Sequence, residues 1–370
     1  MYNIIENLFI LEFIMNLKDR IILEDYRSSK ADFEKLGETV MGILDRVVKE
    51  AGISVMAMEH RVKEENSLAG KLERKGDKYN SLEDITDILG CRVICSFEDD
   101  VDRIGEIVEK EFELDWENSV DKRATLRPDS FGYLSLHYIC CLPEDKGYPK
   151  ELCGKKFEIQ IRTILQHAWA VINHDLGYKS DFGVPDAVTR DFSRIAGLFE
   201  LADDEFVRTR DKVYGYTEDI RSKIRNDEAD DVKLDSVSLN EYVMNSKGMH
   251  AFLESLASIC GAEISWIDPE SYLPLLNWLG VKDIGELQRM LSEDGSLAYE
   301  LAVKTLDGSD LDILSSNVGL RFLCRAELLS KSYPEDRIIE FFELQTGKRD
   351  RAERQAKYLI DSYAKLKENK

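Results

Sequence analysis

The sequence predicts an α/β domain, a mixed β-sheet flanked by helices, followed by an all-α domain. Three observations predict it. Residues 157–162 (FEIQIR) alternate strictly, with Phe157, Ile159 and Ile161 on one side and Glu158, Gln160 and Arg162 on the other. Residues 133–138 alternate again: Tyr133, Ser135 and His137 oppose Leu134, Leu136 and Tyr138. From about Val232 the texture changes to successive amphipathic helices with Gly, Pro or Asp stops. At 370 residues the chain is long enough for two cores.

Taken in order, residues 1–29 read as an N-terminal extension. Its apolar run LFILEFIM (8–15) is interrupted by Glu12, is too short to span a bilayer and lacks a signal-peptide pattern. Translation is expected to start at Met15, which the intact N-terminal mass of natively expressed protein tests. Residues 30–50 place Phe33, Leu36, Val40, Leu44 and Val47 on one helical face. A second helix is expected over 55–76. On it Lys63, Ser67 and Lys71 recur every four residues, with Arg61 and Arg74 nearby. That row fits a solvated basic face and equally a set of donors for polyphosphate.

Ser81, with Asp84 three residues on, reads as an N-cap for a short helix ending near Gly90. RVICSF (92–97) is a central strand, which leaves Asp87 just before it as a turn residue or a metal ligand. Residues 99–112 form an amphipathic helix with Val101, Ile104, Ile107 and Val108 inward. Lys122, Arg123 and Arg127 precede a turn at 128–130, and the strand carrying His137 follows. A loop joins it to the 157–162 strand, so the two pair antiparallel. Beyond, Leu165, Trp169 and Ile172 are spaced as a buried stripe, and a charged helix over 190–227 closes a first domain assigned to 30–228. Residues 229–370 form the helical domain. They show no strict repeat, glycine-rich phosphate loop or metal-ligand cluster, and their role is left open between regulation and oligomerisation.

A net charge of −22 argues against broad binding to nucleic acid or anionic membranes, though it allows a local basic pocket. The seven cysteines are scattered, without a CxxC pair, which reads as reduced thiols in a cytoplasmic protein. A strand face carrying a carboxylate, an amide and a guanidinium in register reads as three chemistries lined up for one ligand.

Over residues 55–180 the chain resembles the RelA/SpoT-type alarmone synthetases. The resemblance rests on RVKEENSLAGK, DILGCRVI, FGYLSLH and FEIQIRTILQHAWAVINHDLGYK in that order. It implies a nucleotidyltransferase-like fold and magnesium-dependent transfer of the β,γ-pyrophosphate of ATP to the 3′-hydroxyl of GTP or GDP, making (p)ppGpp in the stringent response. By matching position it makes Arg61, Lys63, Ser67 and Lys71 the ATP-binding segment and places Arg92 against adenine. Asp87 and Glu158 become the Mg2+ carboxylates, with Glu158 also near the attacking hydroxyl. Tyr133 stacks on the acceptor's guanine, and His137, Gln160, Arg162 and His174 join the acceptor site. Lys122 and Arg123 hold acceptor phosphates. Phe131, where many members have Asn, and the preceding RPDS put acceptor identity in question more than the transfer.

The pair His174-Asp175 also invites a hydrolase reading, but that site needs further His and Asp ligands in a helical domain for which residues before 30 offer no room. No hydrolase activity is expected. The alternatives carried forward are a toxin-type synthetase acting on the tRNA 3′ end or making adenosine alarmones, and an inactive nucleotide-binding sensor. The partners expected are ATP and GTP or GDP, tRNA in the alternative, no membrane, and a homo-oligomer or protein partner through the C-terminal helices.

Overall fold

The first helix, α1 (Leu17–Glu50), begins well upstream of residue 30. Ile22, Leu23 and Tyr26 extend the same apolar stripe as Phe33, Leu36, Val40 and Leu44, and all are buried. Tyr26 then reaches across to donate its hydroxyl to the Lys63 carbonyl at 2.5 Å. The computed structural model that shows this describes residues 17–125, 135–177 and 186–368. It divides into two compact units, Met1–Arg210 and Asp211–Lys370. Among the described residues no helix is long and apolar enough to cross a membrane.

The helix expected over 55–76 is not one helix. Residues Val55–Val62 are strand β1, and only Glu65–Lys75 is helical, as α2. Met, Ala, Glu and Arg are good helix formers, so local preference pointed the wrong way; pairing with a neighbouring strand overrides it. The short helix after Ser81 is likewise a single 3-10 turn, Leu82–Asp84, although its capping box with Asp84 is present. Strand β2 (Leu89–Cys95) therefore starts earlier than residue 92.

Helix α3 (Glu98–Glu111) follows, burying Val101, Ile104 and Val108, and then come β3 (Glu113–Leu114), β4 (Val120–Asp121) and the one-turn α4 (Lys122–Thr125). Strands β5 (Leu136–Cys141) and β6 (Phe157–Thr163) pair antiparallel as expected, and β6 runs parallel to β2. The sheet order is β1-β2-β6-β5-β3, with β4 paired to β5, so the sheet is mixed. Its apolar face carries Cys91, Val93, Phe157, Ile159, Ile161 and Tyr138 into a core shared with α1.

Helix α5 (Ile164–Gly177) only partly matches its expected stripe. Ile172 is 50% exposed, while Gln166 is buried, accepting from the Thr163 amide at 3.0 Å. The polar cap at the strand–helix junction anchors this helix, and apolar packing contributes less. Helix α6 (Asp186–Arg225) follows. In the first unit, its Asp203 accepts from the Thr163 hydroxyl at 2.7 Å and its Arg210 forms a bidentate pair with Asp99.

The second unit is built from helices α7 (Ser236–Asn245), α8 (Lys247–Cys260), α9 (Leu273–Trp278), α10 (Ile284–Leu306), α11 (Val318–Ser330), α12 (Glu335–Thr346) and α13 (Arg349–Glu368). A small parallel pair, β7 (Glu263–Ser265) and β8 (Ile313–Ser315), supplements them. Its core includes Leu253, Leu276, Leu287, Phe322 and Phe342. Gly285 lets α10 start against the backbone of Asp230, whose carbonyl oxygen would lie 2.6 Å from an added Cβ.

Candidate active site

Register builds the site. In β6 the residues that alternate with the core set are Glu158, Gln160 and Arg162. Gln160 pairs with Arg92 of β2 on one side and His137 of β5 on the other. Glu158 pairs with Gly90, and Gly90 with Arg61 of β1. Because opposed residues share a face, four strands deliver Arg61, Arg92, Glu158, Gln160 and His137 to one side of the sheet. Gly90 lies at the centre of that face. A Cβ there would meet nothing nearer than the Arg61 carbonyl at 4.0 Å, so the glycine leaves open space above the strands.

That space is a cleft of about 460 Å³ whose lining includes Arg61, Lys63, Asp87, Arg92, Glu158 and Gln160. Asp87 enters from the turn before β2. Lys71 of α2 donates to its Oδ1 at 2.6 Å, and Lys63, between β1 and α2, to its Oδ2 at 3.0 Å. Lys63 and Lys71 thus converge although they do not share a helix. Burial works against ionising Asp87, but the two ammonium groups prevail and hold its carboxyl below the usual range. Lys71 is raised in turn: burial opposes its charge and the Asp87 hydrogen bond outweighs it.

Glu158 is held differently. His137 Nδ1 lies 2.6 Å from its Oε1, and the Gln160 amide donates to its Oε2 at 2.8 Å. Burial again opposes ionisation, and the His137 hydrogen bond and charge overcome it, so this carboxyl too sits below its usual value. Asp87 pushes it the other way, a sign that the two carboxylates feel each other. Arg92 pairs with Glu59, while its Nε is buried without a hydrogen-bond partner among the described residues.

Other candidates lie elsewhere. Ser67 is exposed on α2, and His174 is exposed on α5, its side chain at 71%. Neither lines the cleft. Arg123 lines a second cleft of about 450 Å³ beside Trp116 and Tyr138, paired with Asp102 at 2.6 Å and Asp121 at 2.9 Å. Lys122 follows β4 and donates its backbone N–H to the Ser135 carbonyl at 3.1 Å. Arg162 is buried. Tyr133, Arg127 and Phe131 lie outside the described residues.

Three residues not singled out from sequence also belong here. Glu59 lines the cleft from β1; His60 also borders it, but it pairs with Cys91 of the apolar face and its ring turns to α1, where a Cβ added to Gly37 would fall 2.3 Å from it. His167 of α5 is held neutral, by burial first and then by the charges of Arg162 and Arg92. The period of 55–62 hid the first two; the HAWA motif was a signal for the third.

The donor set fits Mg2+. Two carboxylates offer hard oxygens in one cleft, and among the described residues no group of three or more His, Cys, Asp and Glu gathers as a self-sufficient cage. Mg2+ typically takes one or two carboxylates and completes its shell with water and substrate phosphates.

The sequence comparisons accord with this geometry. The family described as the region found in RelA / SpoT proteins matches residues 60–182. GTP pyrophosphokinase YwaC of Bacillus subtilis (strain 168) is 33% identical over 156 residues, covering 41% of this chain and 72% of that protein. GTP pyrophosphokinase YjbM of the same organism is 31% identical over 159 residues, covering 41% and 71%. Among solved structures, small alarmone synthetase 2 from Bacillus subtilis aligns with a TM-score of 0.44 at 26% identity, over 51% of this chain and 99% of that one. Small alarmone synthetase 1 from the same organism, bound to its product pppGpp, aligns at 0.42 and 26%, over 52% and 97%. With more than two thirds of each curated relative matched at over 30% identity, the chain belongs to the RelA/SpoT family of pyrophosphokinases.

Proposed function

We propose that this protein transfers the β,γ-pyrophosphate of ATP to the 3′-hydroxyl of GTP or GDP, with Asp87 and Glu158 as the residues that would hold Mg2+. The observation that carries this reading is the pair of ionised carboxylates in one cleft, Asp87 clamped by two lysines and Glu158 by His137 and Gln160. Pyrophosphoryl transfer asks a protein for charge neutralisation, in-line positioning and a proton acceptor. Lys63, Lys71 and Arg61 supply positive charge along one wall, and Arg92, with its spare Nε donor, holds the adenine end.

Glu158 accepts the 3′-hydroxyl proton at a carboxylate oxygen. A carboxyl with a lowered pKa is a weak base, so its effect comes from placement more than from basicity. His137 and Gln160 keep it aimed. Bound Mg2+ supplies the remaining neutralisation of the polyphosphate. Tyr133 as the guanine platform, Lys122, Arg123, Arg162 and His174 on the acceptor side, and Ser67 beside the ATP phosphates belong to the same proposal. Arg123 must exchange its aspartates for phosphate to serve. The unpaired cysteines fit a reducing cytoplasm.

The test is to incubate the purified protein with γ-labelled ATP, Mg2+ and either GDP, GTP, ATP or deacylated tRNA. Label on GDP or GTP with release of AMP is expected. Label on tRNA or ATP instead would reassign the acceptor, and transfer to none would contradict the reading.

A further inference from the structure

In the second unit one buried cation has no counter-charge among the described residues. Arg325 of α11 is 8% exposed, with its guanidinium 5.8 Å from the ring centre of Phe322 and 5.6 Å from that of Phe342. It makes no side-chain hydrogen bond or ion pair with any described residue. Arg321, one turn earlier on the same helix face, is exposed, sits 5.7 Å from the same Phe322 ring, and is equally unpaired among the described residues. Burial pushes the Arg325 guanidinium down to about 10, and the charge of Arg321 adds to that push.

Magnitudes separate two explanations. If Arg325 served only to pack between rings, its gain would be a cation–π contact of about 0.5–2 kcal/mol. Desolvating an unpaired charge costs several kcal/mol, roughly. Packing alone therefore leaves a deficit that a Met or Leu at this position would not incur. Nor are carboxylates scarce: the chain has 72 Asp and Glu against 50 Lys and Arg. Two buried carboxylates of this unit do have a cation, Glu241 from Arg221 and Glu327 from Lys331. Two guanidiniums left unpaired beside aromatic rings fit a ligand that brings its own oxygens, because the planar fork matches phosphate and carboxylate bidentately.

We propose that Arg325 and Arg321 form a binding site in the second unit for a small oxyanion, a phosphate- or carboxylate-bearing molecule, seated against Phe322, Phe342 and Tyr272. Tyr272 and Tyr358, outside α11, lie close enough to Arg325 to act on its titration, so the aromatic side of the site draws on several elements. This proposal is independent of the catalytic reading.

Hydrogen exchange of the full chain, read on peptides covering 318–346, tests it with inorganic phosphate, pyrophosphate or citrate against sodium chloride at matched ionic strength. Saturable protection is expected with at least one of the three. Pyrophosphate acting more strongly than citrate points to a phosphate ligand, and the reverse to a carboxylate. Arg325→Lys, which keeps the charge and loses the fork, and Arg321→Met should each weaken the effect about tenfold or more. Absence of saturable protection with all three anions, or equal protection in wild type and both variants, would overturn the proposal.

Discussion

Glu158 is the residue whose loss should cost most. Glu158→Gln keeps size but removes the charge and turns one acceptor oxygen into a donor. It should lower turnover by about 10²–10³-fold while leaving the melting temperature close to wild type, which steady-state assays and a thermal scan check together. Asp87 gives a pH signature. Its folded pKa is depressed, so its clamp contributes fully above the unfolded carboxyl value and is lost as pH falls through the folded value. Lys71→Ala removes the nearer ammonium, and the acid limb of the activity profile should move to higher pH. An unmoved limb would show that Lys71 does not set it. Asp203 has the opposite sign. Burial first, then Asp204, raise its pKa to about 6 against the hydrogen bond from Thr163. Its contribution therefore favours folding at low pH and is lost as pH rises from the ordinary carboxyl value through about 6. Asp203→Asn should be more stable than wild type at pH 8, by about 1–3 kcal/mol, and the gap should close towards pH 4 in denaturant titrations.

At the scale of elements, what could be read in advance was what a period of two makes visible. The FEIQIR alternation assigned both faces of β6 correctly, since Phe157, Ile159 and Ile161 are fully buried and Glu158 and Gln160 line the cleft. The pairing of β5 with β6 followed from their being sequence neighbours joined by one loop. Residues 55–62 were illegible for a physical reason: VMAMEHRV mixes helix formers with an irregular burial pattern, and only its partner β2 makes it a strand. Glu59 and His60 were hidden with it. Arg325 was hidden too, because an arginine in an amphipathic helix reads as solvated until neighbouring elements bury it. Close approach between elements was equally invisible in one dimension. Gly285→Ala would drive a Cβ into the Asp230 carbonyl, and a loss of about 1–3 kcal/mol is expected, seen as a lower melting temperature of the second unit.

For the whole molecule, the two hydrophobic cores share no residue: one spans positions from Ile22 to Ile161, the other from Ile220 to Leu359. Separate cores predict separable unfolding. Calorimetry should resolve two transitions, with Gly285→Ala lowering one and leaving the other in place; a single transition shifted as a unit would contradict independent cores. The family match, residues 60–182, lies with the first of them, and we propose that Glu158, aimed by His137 and Gln160 beside the Lys-clamped Asp87, makes that cleft catalytic. The most direct measurement is transfer of label from γ-labelled ATP to GDP or GTP by wild type and by Glu158→Gln, each with Mg2+ and with the metal chelated. Labelled guanosine product and AMP are expected from wild type with Mg2+, and little or none from the variant or after chelation. Equal product from the variant, or transfer undiminished by chelation, would contradict it.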